Sequence, residues 1–233
     1  MIAALVPAKS LDQAKGRLAA LLSEEERPAL ALAMLEDVLR ALQGVPRIGR
    51  LAVVSPDADV LARARAFAAK AIAEPPATRG INQALAHALG TLGLGDSDTL
   101  LIVLADVPAV LPPEVEAILD ALPPSGDGAV LCPSLDRGTS ALAVRPPDAI
   151  PFRFGHQSFL HHRREAAARG LAARVLRINS LAADIDGPND LLDLMSELAA
   201  AGQGPARAPA TARLLKELRL AERVAAAGRP GRE

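Results

Sequence analysis

Short apolar runs recur along this chain with longer amphipathic stretches between them, a pattern that leaves few folds open. The runs "IAALV" (2–6), "LAVVS" (51–55), "LLIVLAD" (100–106), "GAVLCP" (128–133), "SALAVR" (140–145) and "RVLRI" (174–178) read as strands, and "AIAE" (71–74) as a weaker one. Helical patterns cover about 24–43, 57–69, 80–92, 113–121, 156–170 and 188–201. The first helix is marked by Ser23 with Glu26 three residues on, a reciprocal capping pair. Strands alternating with helices build βαβ units, so the fold class is α/β, with a mostly parallel central sheet covered on both faces. The nearly continuous apolar run "LLIVLA" suits a central strand with no solvent-facing side.

In such a sheet, ligands bind outside the carboxyl ends of the strands. The residues that follow each run therefore carry the chemistry: Pro7-Ala8-Lys9, Ser55-Pro56-Asp57, Asp106-Val107-Pro108, and the segment around Asp184 and Asp186. After the first strand, "PAKSLDQAKGR" offers Lys9, Lys15 and Arg17 within nine residues. Lysine presents a point charge and arginine a two-pronged donor, a combination that suits phosphate groups and is also compatible with a solvated loop. The loop has neither the G-x-x-x-x-G-K-[ST] pattern of a P-loop nor a G-x-G-x-x-G dinucleotide fingerprint.

A carboxylate closing a buried run is costly without a partner, so Asp106 calls for a cation, a ligand or a turn to cap. Magnesium takes a few carboxylates together with substrate phosphates and water. Asp184 and Asp186, two apart in an extended segment, share a face and form a second acidic site; Asp186 precedes Gly-Pro and a helix, so it is also a candidate N-cap. Two further turns are candidate anion sites. "DRGTSALAVRP" places Gly138 and Thr139 where backbone N–H and hydroxyl groups face an oxyanion, and "FGHQSFLHHRRE" places Gly155, Gln157 and Ser158 at a helix start. Each is equally an ordinary turn or cap. His156, His161 and His162 lack metal-site spacing and read as surface or helix-face residues. No nucleophile elbow is visible.

Composition removes other classes. A formal net charge of −1 gives no electrostatic reason to bind nucleic acid, and four Phe with no Trp or Tyr make no base-stacking platform. The single cysteine, Cys132, lies in an apolar run and reads as a core residue. No run approaches the roughly 20 apolar residues of a membrane span, and no basic region precedes the apolar N-terminus, so the expectation is a soluble cytoplasmic chain. Residues 202–233 change character to a Gly/Pro/Ala linker and a short basic amphipathic helix, an expected appendage to a domain of 1–201 that packs on a partner subunit or frays.

Taken together, "VPAKSLDQAKGRL", "GINQALAHA", "LADVP", "GTSALAVRP", "FGHQSFLHHRREA" and "DIDGPNDL" resemble, in content and order, the guanylyltransferase family of F420 deazaflavin coenzyme biosynthesis, whose members are called 2-phospho-L-lactate or phosphoenolpyruvate guanylyltransferases. The resemblance runs from about residue 1 to 200. It implies the nucleotide-diphospho-sugar transferase (GT-A-like) three-layer sandwich. It also implies a reaction that moves GMP from GTP to the phosphate of a three-carbon acid, releasing pyrophosphate. On that resemblance Lys9, Lys15 and Arg17, with Pro7 and Ala8, hold the GTP phosphates, and Gly80 and Asn82 lie near the nucleotide. Asp106 and Asp186, with Asp184, hold Mg²⁺, while Gly138, Thr139, Gly155 and Ser158 receive the acceptor. The family commonly has Thr after the second Asp of "DID"; here it is Gly187, which removes a hydroxyl cap.

Other readings compete. Nucleotidyltransferases of the same fold that make molybdenum-cofactor dinucleotides or activate sugar phosphates open with a glycine-rich loop, whereas here the only glycine of the loop is Gly16. A non-catalytic nucleotide-binding α/β domain has no reason to keep both carboxylates and all three cations. Phosphoenolpyruvate, 2-phospho-L-lactate and 3-phosphoglycerate are all open as acceptor, as is a homodimer.

Overall fold

The computed structural model describes residues 1–13, 15–200 and 206–227. Seven strands form one sheet in the order β3-β2-β1-β4-β6-β5-β7. They are β1 (Ile2–Pro7), β2 (Ile48–Ser55), β3 (Lys70–Ala73), β4 (Thr99–Val103), β5 (Gly128–Pro133), β6 (Thr139–Arg145) and β7 (Ala173–Val175). The pairs β1·β2, β1·β4, β2·β3 and β5·β7 are parallel, and β6 runs antiparallel to both neighbours. The reversal follows from chain length: a short turn between Pro133 and Thr139 makes a hairpin, whereas a parallel return needs a crossover of a dozen or more residues.

The helices are α1 (Glu26–Gln43), α2 (Ala58–Ala66), α3 (Gly80–Leu92), α4 (Pro112–Asp120), α5 (Ser158–Ala168), α6 (Asn179–Ala182), α7 (Pro188–Ala200), α8 (Pro209–Glu217) and α9 (Leu220–Ala227). The Ser23–Glu26 capping pair forms, Ser23 N–H donating to Glu26 Oε2 at 2.8 Å and Glu26 N–H to Ser23 Oγ at 3.3 Å. Strand residues divide between two faces. Val6, Val53, Leu101 and Val130 pack under α1 and α4, while Leu5, Val54, Ile102 and Leu131 pack under α3 and α5. Cys132 is fully buried in β5, and its thiol is pushed up to about 12 by burial.

Strand β4 ends at Val103, three residues short of the expected Asp106, and β7 is shorter than the run 174–178, a fully exposed edge that pairs on one side only. No helix among the described residues is long and apolar enough to cross a membrane.

The boundary expected at 201–202 and the linker to 205 lie outside the described residues, as do 228–233. The stretch from 206 to 227 packs on the chain's own α1. Asp37, on the outer face of α1, accepts from the N–H groups of Ala210 and Thr211 at 2.8 Å each and so caps α8. Arg207 donates to Ala109 O and pairs with Glu114 of α4. Leu215 and Leu220 join Leu18, Leu22, Leu30 and Met34 in a third apolar cluster. The C-terminal helices thereby share one apolar cluster with Leu18 of the 3₁₀ turn Gly16–Ala20 that follows the first strand.

Candidate functional site

Thirteen of the residues singled out in the sequence line one cleft of about 980 Å³ at the carboxyl edge of the sheet: Pro7, Ala8, Lys9, Lys15, Arg17, Gly80, Asp106, Gly138, Thr139, Gly155, Ser158, Asp184 and Asp186. Asn82 does not line it. Its amide is spent on the backbone of Phe154, donating to O at 3.0 Å and accepting from N–H at 2.8 Å, so it clamps the chain entering Gly155.

The basic loop is pinned at its start by Asp57, which caps α2 through Asp59 and Val60 N–H and also accepts from Leu11 N–H at 2.9 Å. Burial raises the Asp57 carboxyl, but the three N–H groups outweigh it and hold the pKa below the usual value. Lys15 adopts a left-handed conformation (φ 54°), which a lysine accepts only where its surroundings hold it. What holds it is a pair of carboxylates: Nζ lies 3.1 Å from Asp106 Oδ2 and 3.0 Å from Asp186 Oδ1. Burial opposes the charge on Lys15, yet the two carboxylates raise its pKa above the ordinary lysine value. Asp186 in turn is raised by burial and lowered by Lys15, with a net downward shift. Lys9 and Arg17 form no ion pair among the described residues.

The second acidic segment is docked by Ile185 N–H on Asp106 O at 3.1 Å. The Asp186 side chain goes to Lys15 rather than capping α7. Asp190 supplies the cap, accepting from Gly187 N–H at 2.7 Å and Asp186 N–H at 3.1 Å, so the hydroxyl missing at Gly187 is replaced from within the helix. Asp184 is pushed up to about 6 by burial and by the neighbouring carboxylates of Asp106, Asp136 and Asp186.

Does this set fit a divalent cation? Among the described residues no three His, Cys, Asp or Glu side chains stand ready-made around one point. Magnesium, however, needs only one or two protein carboxylates beside phosphate oxygens and water. The buried Asp106 Oδ1 has no hydrogen-bond partner, and the raised Asp184 marks a local crowding of carboxylates. The donors fit.

On the other wall, the Gly138 N–H expected to face an oxyanion is already donated to Asp136 Oδ1 at 2.7 Å. A Cβ at Gly138 would meet Ser134 Oγ at 2.5 Å and that same Asp136 oxygen at 2.7 Å, so a larger residue there would displace the Ser134 and Asp136 side chains that fold the turn. Gly155 (φ 122°) and Gln157 (φ 53°) turn the chain into α5. His156 and His161 are exposed, in keeping with the surface reading, but His162 is fully buried, bonded to Thr139 at the start of β6 and to Arg153 N–H. The signal was the spacing of Ser158, His162 and Ala166, the buried stripe of α5 at intervals of four. Glu74, at the end of β3, also lines the cleft and was not anticipated. Burial raises its carboxyl pKa, against a smaller effect of His87, and its carboxylate has no ion-pair partner among the described residues.

An open α/β sheet that gathers a basic loop, paired carboxylates and a helix N-terminus at its carboxyl edge has the architecture of a nucleotidyltransferase. The fold is similar to that of a protein from Desulfovibrio desulfuricans G20 described as a nucleotide-diphospho-sugar transferase, at a TM-score of 0.70 and 18% identity over 95% of this chain and 97% of that one. The sequence is 43% identical to a phosphoenolpyruvate guanylyltransferase of Sphaerobacter thermophilus over 192 residues, 82% of this chain and 91% of that protein. It is 33% identical to a 3-phospho-D-glycerate guanylyltransferase of Colwellia psychrerythraea, over 80% of this chain and 88% of that protein. The chain belongs to the family described as "Guanylyl transferase CofC like", which matches residues 2–219 and so takes in α8 as well as the sheet.

Proposed function

We propose that the chain transfers GMP from GTP to the phosphate of a three-carbon phosphorylated acid, with release of pyrophosphate, as a step of coenzyme F420 biosynthesis. The observation that carries the reading is the convergence of Lys9, Lys15 and Arg17 from one loop with Asp106 and Asp186 from two distant segments in a single cleft. Phosphoenolpyruvate is the acceptor best supported, being the substrate in the name of the Sphaerobacter relative; 3-phosphoglycerate is the comparison substrate.

In the reaction, an acceptor phosphate oxygen attacks the α-phosphorus of GTP. A new P–O–P bond forms, the bond from the α-phosphorus to the bridging oxygen breaks, and pyrophosphate leaves with the electron pair. The second pKa of a phosphate monoester is about 6, so the nucleophile is already ionised at neutral pH and needs no general base. Catalysis then reduces to alignment and charge neutralisation. Mg²⁺ held by Asp106, Asp186 and Asp184 would neutralise and orient the phosphate oxygens. Lys9 and Arg17 face the leaving pyrophosphate, and Lys15 links that loop to the carboxylates. At the β3 end, the free carboxylate of Glu74 is suited to accept the N1–H and N2–H donors of guanine together, an edge adenine does not present.

The test is pyrophosphate release from GTP and Mg²⁺ with phosphoenolpyruvate, 3-phosphoglycerate or 2-phospho-L-lactate in separate reactions, with ATP and CTP as controls. Release with GTP and one acceptor supports the reading, and Asp106→Ala then abolishes it in a chain that still folds. A folded wild type that releases nothing with any acceptor overturns the reading.

A further inference from the structure

His162 is a fully buried imidazole, and both ring nitrogens are engaged. Arg153 N–H points at Nε2 from 2.9 Å, and Thr139 Oγ1 lies 3.0 Å from Nδ1. A peptide N–H can only donate, so Nε2 is the acceptor and the neutral ring carries its proton on Nδ1. That proton is therefore donated to Thr139 Oγ1. Ser158 Oγ donates to the same oxygen at 3.1 Å, which uses both lone pairs of the threonine hydroxyl. One proton remains unassigned, that of Thr139 itself. A reversal within the pair leaves the same count: if Thr139 donated to Ser158, the serine proton would be the one left over. In either arrangement two hydroxyls that line the cleft keep one O–H proton that neither the ring nor the pair consumes, and Thr139 cannot turn round to donate to the ring.

The surroundings keep the ring in this state. Phe154 packs edge-on against it, with centroids 4.8 Å apart at 70°, and burial pushes its pKa down to about 4. Phe154 is the residue whose backbone Asn82 clamps, so the ring's position is tied to α3 across the cleft.

We propose that His162 is a positioning residue that fixes the Thr139–Ser158 hydroxyl pair as a donor toward an anionic oxygen of the acceptor, so that this end of the cleft selects a carboxylate or phosphate. The proposal rests on the reaction proposed above for its choice of ligand.

Two substitutions separate this role from plain packing. His162→Asn puts an amide donor near the place of Nδ1 and can still donate to Thr139. His162→Gln reaches the place of Nε2, can still accept from Arg153 N–H, and leaves Thr139 without its donor. The glutamine variant is expected to raise the KM for phosphoenolpyruvate about tenfold with the KM for GTP unchanged, the effect of one hydrogen bond to a charged group. The asparagine variant is expected to keep the acceptor KM within about twofold of wild type, whatever its thermal stability. An acceptor KM that is unchanged in folded His162→Gln, or a rise in both KM values that follows the loss of Tm in both variants, would overturn the proposal. Calorimetric titration with phosphoenolpyruvate repeats the comparison without turnover. A wild type that binds phosphoenolpyruvate but never releases pyrophosphate therefore sinks the reaction assignment while the His162 comparison still stands or falls on its own. A wild type that binds none of it refutes the acceptor role.

Discussion

Lys15 Nζ lies 3.0 Å from Asp186 Oδ1, across 171 residues of sequence, and closes the cleft's acidic side with an ammonium. The same ammonium reaches Asp106, so one cation serves two carboxylates. Replacing Lys15 by Met leaves both without a partner. Lys15 is nearly buried but Asp186 is half exposed, so solvent screening limits the loss to about 1–2 kcal/mol. A divalent ion is then expected to restore more stability to the variant than it adds to wild type. Melting each protein with and without Mg²⁺ checks this. Equal Mg²⁺ shifts in the two proteins would contradict a shared site for the ion and the lysine.

We assign the base preference proposed above to Glu74, which lines the cleft at the end of β3. Glu74→Gln turns one of its two acceptor oxygens into a donor, a pattern that suits adenine better than guanine. The ratio of kcat/KM for GTP over ATP is expected to fall about tenfold or more, chiefly through loss of GTP binding. ITP, which lacks the N2 amino group, should already be weak with wild type and lose less than GTP in the variant. An unchanged ratio would move the reading of guanine to another part of the cleft.

How far these residues could be found without coordinates depended on what kind of information each one needed. Asp106 and Lys9 follow strands and Ser158 opens a helix, so the rule that ligands sit at the carboxyl edge locates them from local pattern; Thr139 opens β6 and reaches the same edge only because that strand runs antiparallel. The Lys15–Asp186 contact was not legible, because a lysine pairs with whichever carboxylate the fold brings near, and three segments meet here only after β1, β4 and the turn before α7 are in place. His162 was read as a surface or helix-face residue because "HHRRE" is polar on every side; the packing of α5 against β5 turns the Ser158–His162–Ala166 stripe inward and so decides which histidine is inside. Asn82 was expected beside the nucleotide; its position on α3 was legible, but the direction of its amide depends on the path of a loop 72 residues away. The direction of β6 was likewise set by the length of a turn rather than by its apolar run.

Asn82→Ala tests that clamp. Two hydrogen bonds to the Phe154 backbone disappear, at a cost of about 2 kcal/mol for a half-buried pair. Gly155 and Ser158 follow Phe154 in the chain, so the acceptor KM is expected to rise several-fold and the GTP KM to stay near wild type. Steady-state kinetics with each substrate varied in turn separates the two. A rise confined to GTP would instead place Asn82 at the nucleotide.

The buried histidine also gives stability a pH signature. Its pKa is about 4 in the folded chain, set chiefly by burial and then by His161 and Arg153 against Glu165, and about 6.5 when unfolded. A folded pKa depressed below the unfolded one contributes stability that is complete above pH 6.5 and is lost as the pH falls toward 4. The full effect is of order 3 kcal/mol. Urea unfolding at pH 7 and pH 4.5 should show a larger acid loss in wild type than in His162→Gln, where nothing titrates at that position. Glu165, paired with Arg153 and Arg169, titrates in both proteins and cancels in the comparison. Equal acid losses would mean that the ring is not held neutral by burial.

The last relationship joins the C-terminal helices to the cleft. Asp37 gives each carboxylate oxygen to one N–H of α8, and α8 lays Leu215 against the cluster that contains Leu18. Leu18 follows Arg17 directly, so the basic loop is held partly by a helix far along the chain. Asp37→Ala removes the cap and both charged hydrogen bonds, a loss of about 2–3 kcal/mol. If α8 only protects the core, Tm falls and kinetics at a lower temperature are unaffected. If it supports the loop, the KM for GTP rises several-fold while the acceptor KM, which we assign to Thr139 and Ser158 on the opposite wall, does not. The second outcome is expected, because Leu18 of the 3₁₀ turn is buried in a cluster built by α1, α7 and the C-terminal helices rather than by the sheet. Kinetics of Asp37→Ala well below its Tm distinguish the two.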